Sequence, residues 1–237
     1  LVSNLFLLFV AASILIYYIV PRKSQWIVLL IFSYLYYIAG GPRYVVFILF
    51  STLVTWLMAL LIEKAEGKEN HKGARKLLIL GLILNFGMLG IVKYTNFAVE
   101  NINALLHLNL RGIQLLLPLG ISFYTFQSSG YLLDVYWKRC KAERHPLKYA
   151  LFVSFFPQIL QGPIGRYSRL ADQLYAEHRF EGNNIIRGFE RILWGFFKKM
   201  ILADWAAAFA DAIFEDPAKY NGVALLGVLF YTIQLYA

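Results

Sequence analysis

Cysteine is almost absent from this chain. Cys140 stands alone, which excludes an internal disulfide and any metal site built from several thiolates. Charge is scarce too: 16% of the 237 residues are charged and 59% are hydrophobic, where soluble domains carry about 25% charged residues. Acidic residues are the rarer sign, 14 against 23 basic, for a net charge of +9. No glycine-rich phosphate loop, His-Glu-x-x-His metal pair or Gly-x-Ser-x-Gly elbow occurs, so P-loop hydrolysis, zincin and serine-hydrolase chemistry are excluded. The basic excess lies in short connections between apolar runs, the pattern of cytoplasmic loops beside anionic lipid rather than of nucleic-acid binding. The composition describes a helical bundle in lipid.

What is present is a series of apolar runs. Leu1 to Val20 carries no charge and has spanning length, about 20 residues being needed. Pro21-Arg22-Lys23 follows it in place of a small-residue cleavage site, which favours a retained helix over a signal peptide. Trp26 to Ala39 and Tyr44 to Ile62 are read as the second and third spans. Leu77 to Val92 is a fourth, short at about 24 Å for 1.5 Å per residue. Tyr94 to Leu110 mixes asparagines with apolar residues and suits a separate helix lying in the interface. Gly112 to Leu133 is expected to cross with a kink at Pro118 and Gly120, and Val223 to Ala237 begins a further span. The chain lacks an initial Met and stops inside that run, so it is read as one transmembrane domain, 1–237, forming the N-terminal part of a longer protein.

Orientation follows from the loops. Those at 21–25, 63–76 and 137–148 hold twelve Lys and Arg residues, while those at 40–43 and 93–112 hold three. The richer set is assigned to the cytoplasm.

Two stretches invite function. Leu117 to Gln127 and Phe155 to Tyr167 are apolar segments interrupted by Pro and Gly, with a cationic loop between them. A helix break at membrane depth survives only inside protein or beside a water-filled cavity. Tyr149 to Gly165 therefore reads as a broken or re-entrant helix. Gln158 and Gln161 flank the break, either satisfying freed carbonyls or lining a polar passage. Arg166 and Arg169 follow, as snorkelling cations or as a binding site for an anionic group. Asp134 closes an apolar run, marking its interfacial end or making an intramembrane pair with a Lys or Arg. Lys198-Lys199 reads as a snorkelling pair, and Phe123, Tyr124, Phe126, Tyr131 and Tyr136 as packing. Asn184 to Phe214 is helical in period, with Arg187, Arg191 and Lys198 on one stripe, suiting an interface or a polar contact with other protein. The four histidines, His71, His107, His145 and His178, all fall in polar connections.

Several motifs, taken together and in order, resemble the membrane-bound O-acyltransferase family. They are Leu117-Pro118-Leu119-Gly120-Ile121-Ser122-Phe123-Tyr124, Tyr131-Leu132-Leu133-Asp134-Val135-Tyr136, Phe155-Phe156-Pro157-Gln158 and Gln161-Gly162-Pro163-Ile164 with Arg166. Trp194-Gly195-Phe196-Phe197-Lys198-Lys199 and Val92-Lys93-Tyr94-Thr95-Asn96-Phe97 are also similar to its bacterial branch, which includes the alginate O-acetyltransferase membrane subunit. The resemblance implies an all-α membrane bundle, with broken and interfacial helices around a thinned centre crossed by a tunnel. It implies transfer of an acyl group, acetyl in the first instance, from a cytoplasmic thioester (acetyl-CoA or an acyl carrier protein) to hydroxyls of an exported polysaccharide or cell-wall polymer. It further implies a bacterial inner-membrane location and extracellular or periplasmic accepting partners, with no bound cofactor or metal. The family's catalytic histidine is expected beyond Ala237, so no residue here inherits that role. Gln158, Gln161 and Arg166 are the residues matched to the tunnel wall. D-alanyl transfer to teichoic acid, a transporter built on broken helices and a membrane scaffold are the competing readings.

Overall fold

The computed structural model describes residues 4–106, 117–159, 162, 164–215 and 220–237, and all regular structure among them is helical. The chain forms two compact units, Leu1–Arg179 and Phe180–Ala237.

The first unit holds α1 (Asn4–Ile19), α2 (Gln25–Ala39), α3 (Val45–Glu66), α4 (His71–Leu106), α5 (Ile121–Tyr136), α6 (Pro146–Ser154) and α7 (Tyr167–Tyr175). Two helices, Pro42–Glu66 and His71–Leu106, are long and apolar enough to cross a membrane. Leu53, Ile83 and Ile91 on them remain open to the surroundings, as do Leu5, Leu8 and Leu15 of α1. Side chains that are apolar on an outer face suit lipid rather than water.

The core lies where α3, α4 and α5 converge. Gly81 makes that possible, since a Cβ there would stand 2.8 Å from a methyl of Leu132 and 3.3 Å from Met58. A polar seam joins α3 to α4 beside it. Ser51 donates to Asn85 Oδ1 at 2.6 Å, and Asn85 Nδ2 donates to Thr55 Oγ1 and to the Gly81 carbonyl, each at 3.0 Å. All three side chains are fully buried. In lipid such bonds hold helices together, at about 0.6 to 2 kcal/mol each. Asn85→Leu is therefore expected to lower stability by about 2 kcal/mol, read as an earlier unfolding midpoint in detergent micelles.

Two readings of the sequence are corrected here. The short span and the separate interfacial helix are one helix, α4, of 36 residues. At 1.5 Å per residue it is about 54 Å long, beyond the 40–45 Å of a whole bilayer. The intervening Lys93 and Asn96 are compatible with helix, and neither Pro nor a glycine turn separates the two halves. Nor is α5 a longer helix kinked near its start. Leu117 to Gly120 are not helical, and α5 begins at Ile121 behind Gly120 in the left-handed conformation (φ 66°). The expected start at Gly112 lies outside the described residues.

The three basic loops gather at one end of this unit. Arg144 bonds Glu63 at 2.5 Å, Lys138 and His71 meet Glu66 at 3.1 and 2.9 Å, and the Trp26 ring stands edge-on to His145. At the other end the Gly40-Gly41-Pro42 turn lies close to Leu119.

The second unit holds α8 (Gly182–Phe197), α9 (Asp204–Glu215) and α10 (Ala224–Tyr236), with a π-helical stretch Lys198–Ala203 leading into α9. Phe209 of α9 stacks on Phe230 of α10 at 5.0 Å, and Gly227 lets Ile213 and Phe214 approach. Residues five apart lie about 140° around an α-helix, but a π turn bonds i to i+5 and brings them together. That is how Lys199 reaches Asp204 at 2.5 Å. Both partners of this ion pair are exposed.

Candidate functional site

The break begins where α6 stops. Ser154 is its last residue, and Phe155 turns to φ −49°, ψ 107° with Pro157 two positions on. Turn bonds take over: the Gln158 and Ile159 amides donate to the Phe155 carbonyl, and the Gly162 amide donates to the Gln158 carbonyl. Ser33 of α2 accepts from the buried Phe156 amide at 3.1 Å. Gly120 anchors the far side. A Cβ there would lie 2.2 Å from the Ile159 carbonyl oxygen, so only glycine permits this approach.

The chain then comes back to the end from which α6 departed. Tyr175 donates to the Lys148 carbonyl at 2.6 Å, and His178 exchanges backbone bonds with the Gln25 side chain at 2.9 and 3.0 Å. The His178 ring also meets the Tyr17 hydroxyl at 2.8 Å. In α7, Tyr167, Ala171 and Leu174 are buried and fall on one helical face.

A clamp holds both limbs of this hairpin. Tyr131, Tyr149, Phe152 and Tyr167 form an aromatic cluster, with centroids 4.7 Å apart for Tyr131–Tyr149 and Tyr131–Tyr167 and 5.0 Å for Phe152–Tyr167. Glu143 ties the cluster to its loop. Its carboxylate accepts from the Tyr167 hydroxyl at 2.6 Å and from the His145 amide at 2.8 Å. Its own amide donates to the Tyr131 hydroxyl, and its carbonyl accepts from Trp56 Nε1. Burial first, then Tyr175 and the carboxylate, pushes the Tyr167 phenol far above its usual range, so it stays a donor. Burial also raises the Cys140 thiol to about 11, which keeps it neutral at physiological pH.

Two cavities flank the returning limb. One, of about 240 Å³, is lined by Gln127, Gly130, Tyr131, Asp134, Trp137 and Arg139 together with Ile164 to Tyr167. The other, of about 340 Å³, is lined by Gln158, Arg169, Leu170 and Gln173 with Ile164 to Arg166. Arg166 borders both and is exposed. Gln158 lies against Gly162 and Gly165, whose missing side chains leave it room.

The structure thus brings together Gln158, Arg166 and Arg169, while Gln161 and Pro163 lie outside the described residues. Asp134 faces Arg139 Nη1 at 3.7 Å, a half-exposed partner in the basic loop that follows α5, so it stands at the end of the helix and not in an intramembrane pair. Tyr124 and Tyr131 are buried in the core, as expected of packing residues. His71, His145 and His178 line neither cavity, and His107 is outside the described residues. No group of three or more metal-binding side chains occurs among the described residues. Glu143 was missed. Its partners lie 12, 24 and 87 positions away, and its local signal is that of any charged loop residue.

Comparison with known proteins finds relatives along almost the whole chain. The chain is 35% identical over 99% of its length to a probable alginate O-acetylase AlgI of Pseudomonas aeruginosa, covering 45% of that protein. A namesake from Pseudomonas syringae pv. tomato is 36% identical over 99% of the chain, with 46% of it covered. A peptidoglycan O-acetyltransferase of Helicobacter pylori is 33% identical over 89% of the chain and covered to 44%. The chain spans about half the length of the curated relatives it matches. No family model and no solved structure matches it. These relatives are named as O-acetylating enzymes of alginate and peptidoglycan, in agreement with the resemblance of the sequence motifs to the membrane-bound O-acyltransferase family.

Proposed function

We propose that this chain is part of a multi-pass enzyme of the bacterial inner membrane that moves an acyl group, acetyl in the first instance, onto hydroxyls of an exported polysaccharide or cell-wall polymer. The donor is a cytoplasmic thioester, acetyl-CoA or an acyl carrier protein. The acceptor oxygen attacks the thioester carbonyl, a C–O bond forms as the C–S bond breaks, and the hydroxyl proton leaves with the thiol. The observation that carries this reading is the match over almost the whole chain to O-acetylating relatives acting on alginate and peptidoglycan.

The geometry supports it in three ways. Gathering the basic loops at one end agrees with a cytoplasmic face. A nine-residue α6, only about 14 Å long, followed by a turn and a return, is a re-entrant hairpin of the sort that thins a bundle's centre. Arg166, exposed on the wall of two cavities at that hairpin, offers its guanidinium to an anionic group such as the phosphate of a pantetheine thioester.

Membranes carrying the whole protein are to be given labelled acetyl-CoA, or a charged carrier protein, with the polymer. Base-labile label in the polymer is the expected result. Label from a D-alanyl carrier alone would reassign the donor, and passage of a substrate without esterification would mark a transporter. Arg166→Gln is expected to raise KM for the donor about tenfold with kcat little changed, the size of one lost charge-assisted bond.

A further inference from the structure

We infer that α8 is a membrane-surface helix that recognises anionic lipid headgroups. No residue of its 16 is buried. At 100° per residue, Ile185, Ile186, Phe189, Ile192, Leu193 and Phe197 share an arc of about 140°. Ile186, Phe189, Ile192 and Leu193 are each more than half exposed, so among the described residues the middle of this apolar arc is left uncovered. Arg187, Arg191 and Lys198 occupy an arc of about 40° centred opposite. Among the described residues neither arginine meets a carboxylate.

The occupant follows from this pairing of faces. A protein partner for the apolar arc would leave the cationic stripe without a role, whereas a leaflet supplies both an acyl boundary and phosphates above it. Trp194 lies on the edge between the arcs and stacks with Phe197 at 5.1 Å, where an indole belongs at headgroup level. Helices of the same chain are long and apolar enough to cross the bilayer that α8 would lie upon.

Spin labels on single cysteines, in a Cys140→Ser background, test the seating. The full chain is placed in nanodiscs of phosphatidylcholine with phosphatidylglycerol. Labels at Ile186 and Leu193 are expected to be open to oxygen and closed to a water-soluble nickel chelate, and a label at Asn184 the reverse. If Ile186 and Leu193 are closed to both reagents, the face packs on protein and the inference fails. Native mass spectrometry reads headgroup choice. Retained phosphatidylglycerol should fall about fivefold for each of Arg187→Gln and Arg191→Gln, the size expected of a basic residue near an anionic surface. The lysine variants at both positions should retain it. Unchanged retention in the double glutamine variant, with helical content intact, overturns the headgroup assignment.

Discussion

Glu143→Ala is expected to destabilise the first unit by about 3–5 kcal/mol. The carboxylate accepts two hydrogen bonds, from the Tyr167 hydroxyl and the His145 amide, and a bond to a charged group is worth about 1.5–3 kcal/mol. Removing it also strands the phenol of Tyr167, which is 8% exposed. The backbone bonds of Glu143 to Tyr131 and Trp56 do not need its side chain, so the loop need not unfold outright. Glu143→Gln keeps one acceptor oxygen and should lose about half as much. Unfolding in mild detergent, followed by helical circular dichroism, gives the number. A cycle with Tyr167→Phe isolates the pair, and its coupling is expected to exceed 1 kcal/mol. A loss under 1 kcal/mol in the alanine variant would show that aromatic packing alone holds the hairpin. Because Arg166 precedes Tyr167, the same variant should also weaken donor binding, seen as a raised KM. That effect rests on the proposed role of Arg166, whereas the stability effect does not.

Gly120→Ala should be almost as damaging, at about 2–5 kcal/mol. An L-residue held at φ 66° costs about 1–2 kcal/mol. The new methyl would also meet the backbone carbonyl of Ile159 at 2.2 Å, and a clash with backbone costs about 1–3 kcal/mol because no side chain can rotate away. The relief open to the structure is to push the turn 155–159 outward, which displaces Gln158 from the cavity it lines. Activity is thus expected to fall further than stability. Gly130→Ala is the control. It sits in the middle of α5, and a Cβ there meets nothing within 4 Å. It should be neutral or stabilising by up to about 1 kcal/mol, since alanine is the better helix former. Equal losses at the two positions would remove the argument from close approach.

Chemistry decided which parts of this fold were legible. Hydrophobic runs locate α1, α2 and α3 within a few residues, because lipid solvation acts on each side chain independently of its tertiary neighbours. Breaks behave the same way: Pro157 disfavours helix through its own covalent geometry, and α6 and α7 end and begin on either side of it. α4 shows the opposite case. Asparagines and Glu100 lower its hydropathy without breaking helix, so polarity was read as a change of element where only the surroundings change.

By itself, then, the sequence determined that this is a helical membrane chain, which loops share a face, where the helix breaks fall and to which family it is similar. Each of those depends on local composition or on ordered motifs. Only the tertiary structure decided that Glu143 joins Trp56, Tyr131 and Tyr167, that Asn85 seams α3 to α4, and that Arg166 stands between two cavities. Hydrogen bonds between residues up to 87 positions apart leave no periodic trace in the chain. At Asn85 the physical reason is that lipid offers a buried amide no water to bind, so a partner on a neighbouring helix is favoured.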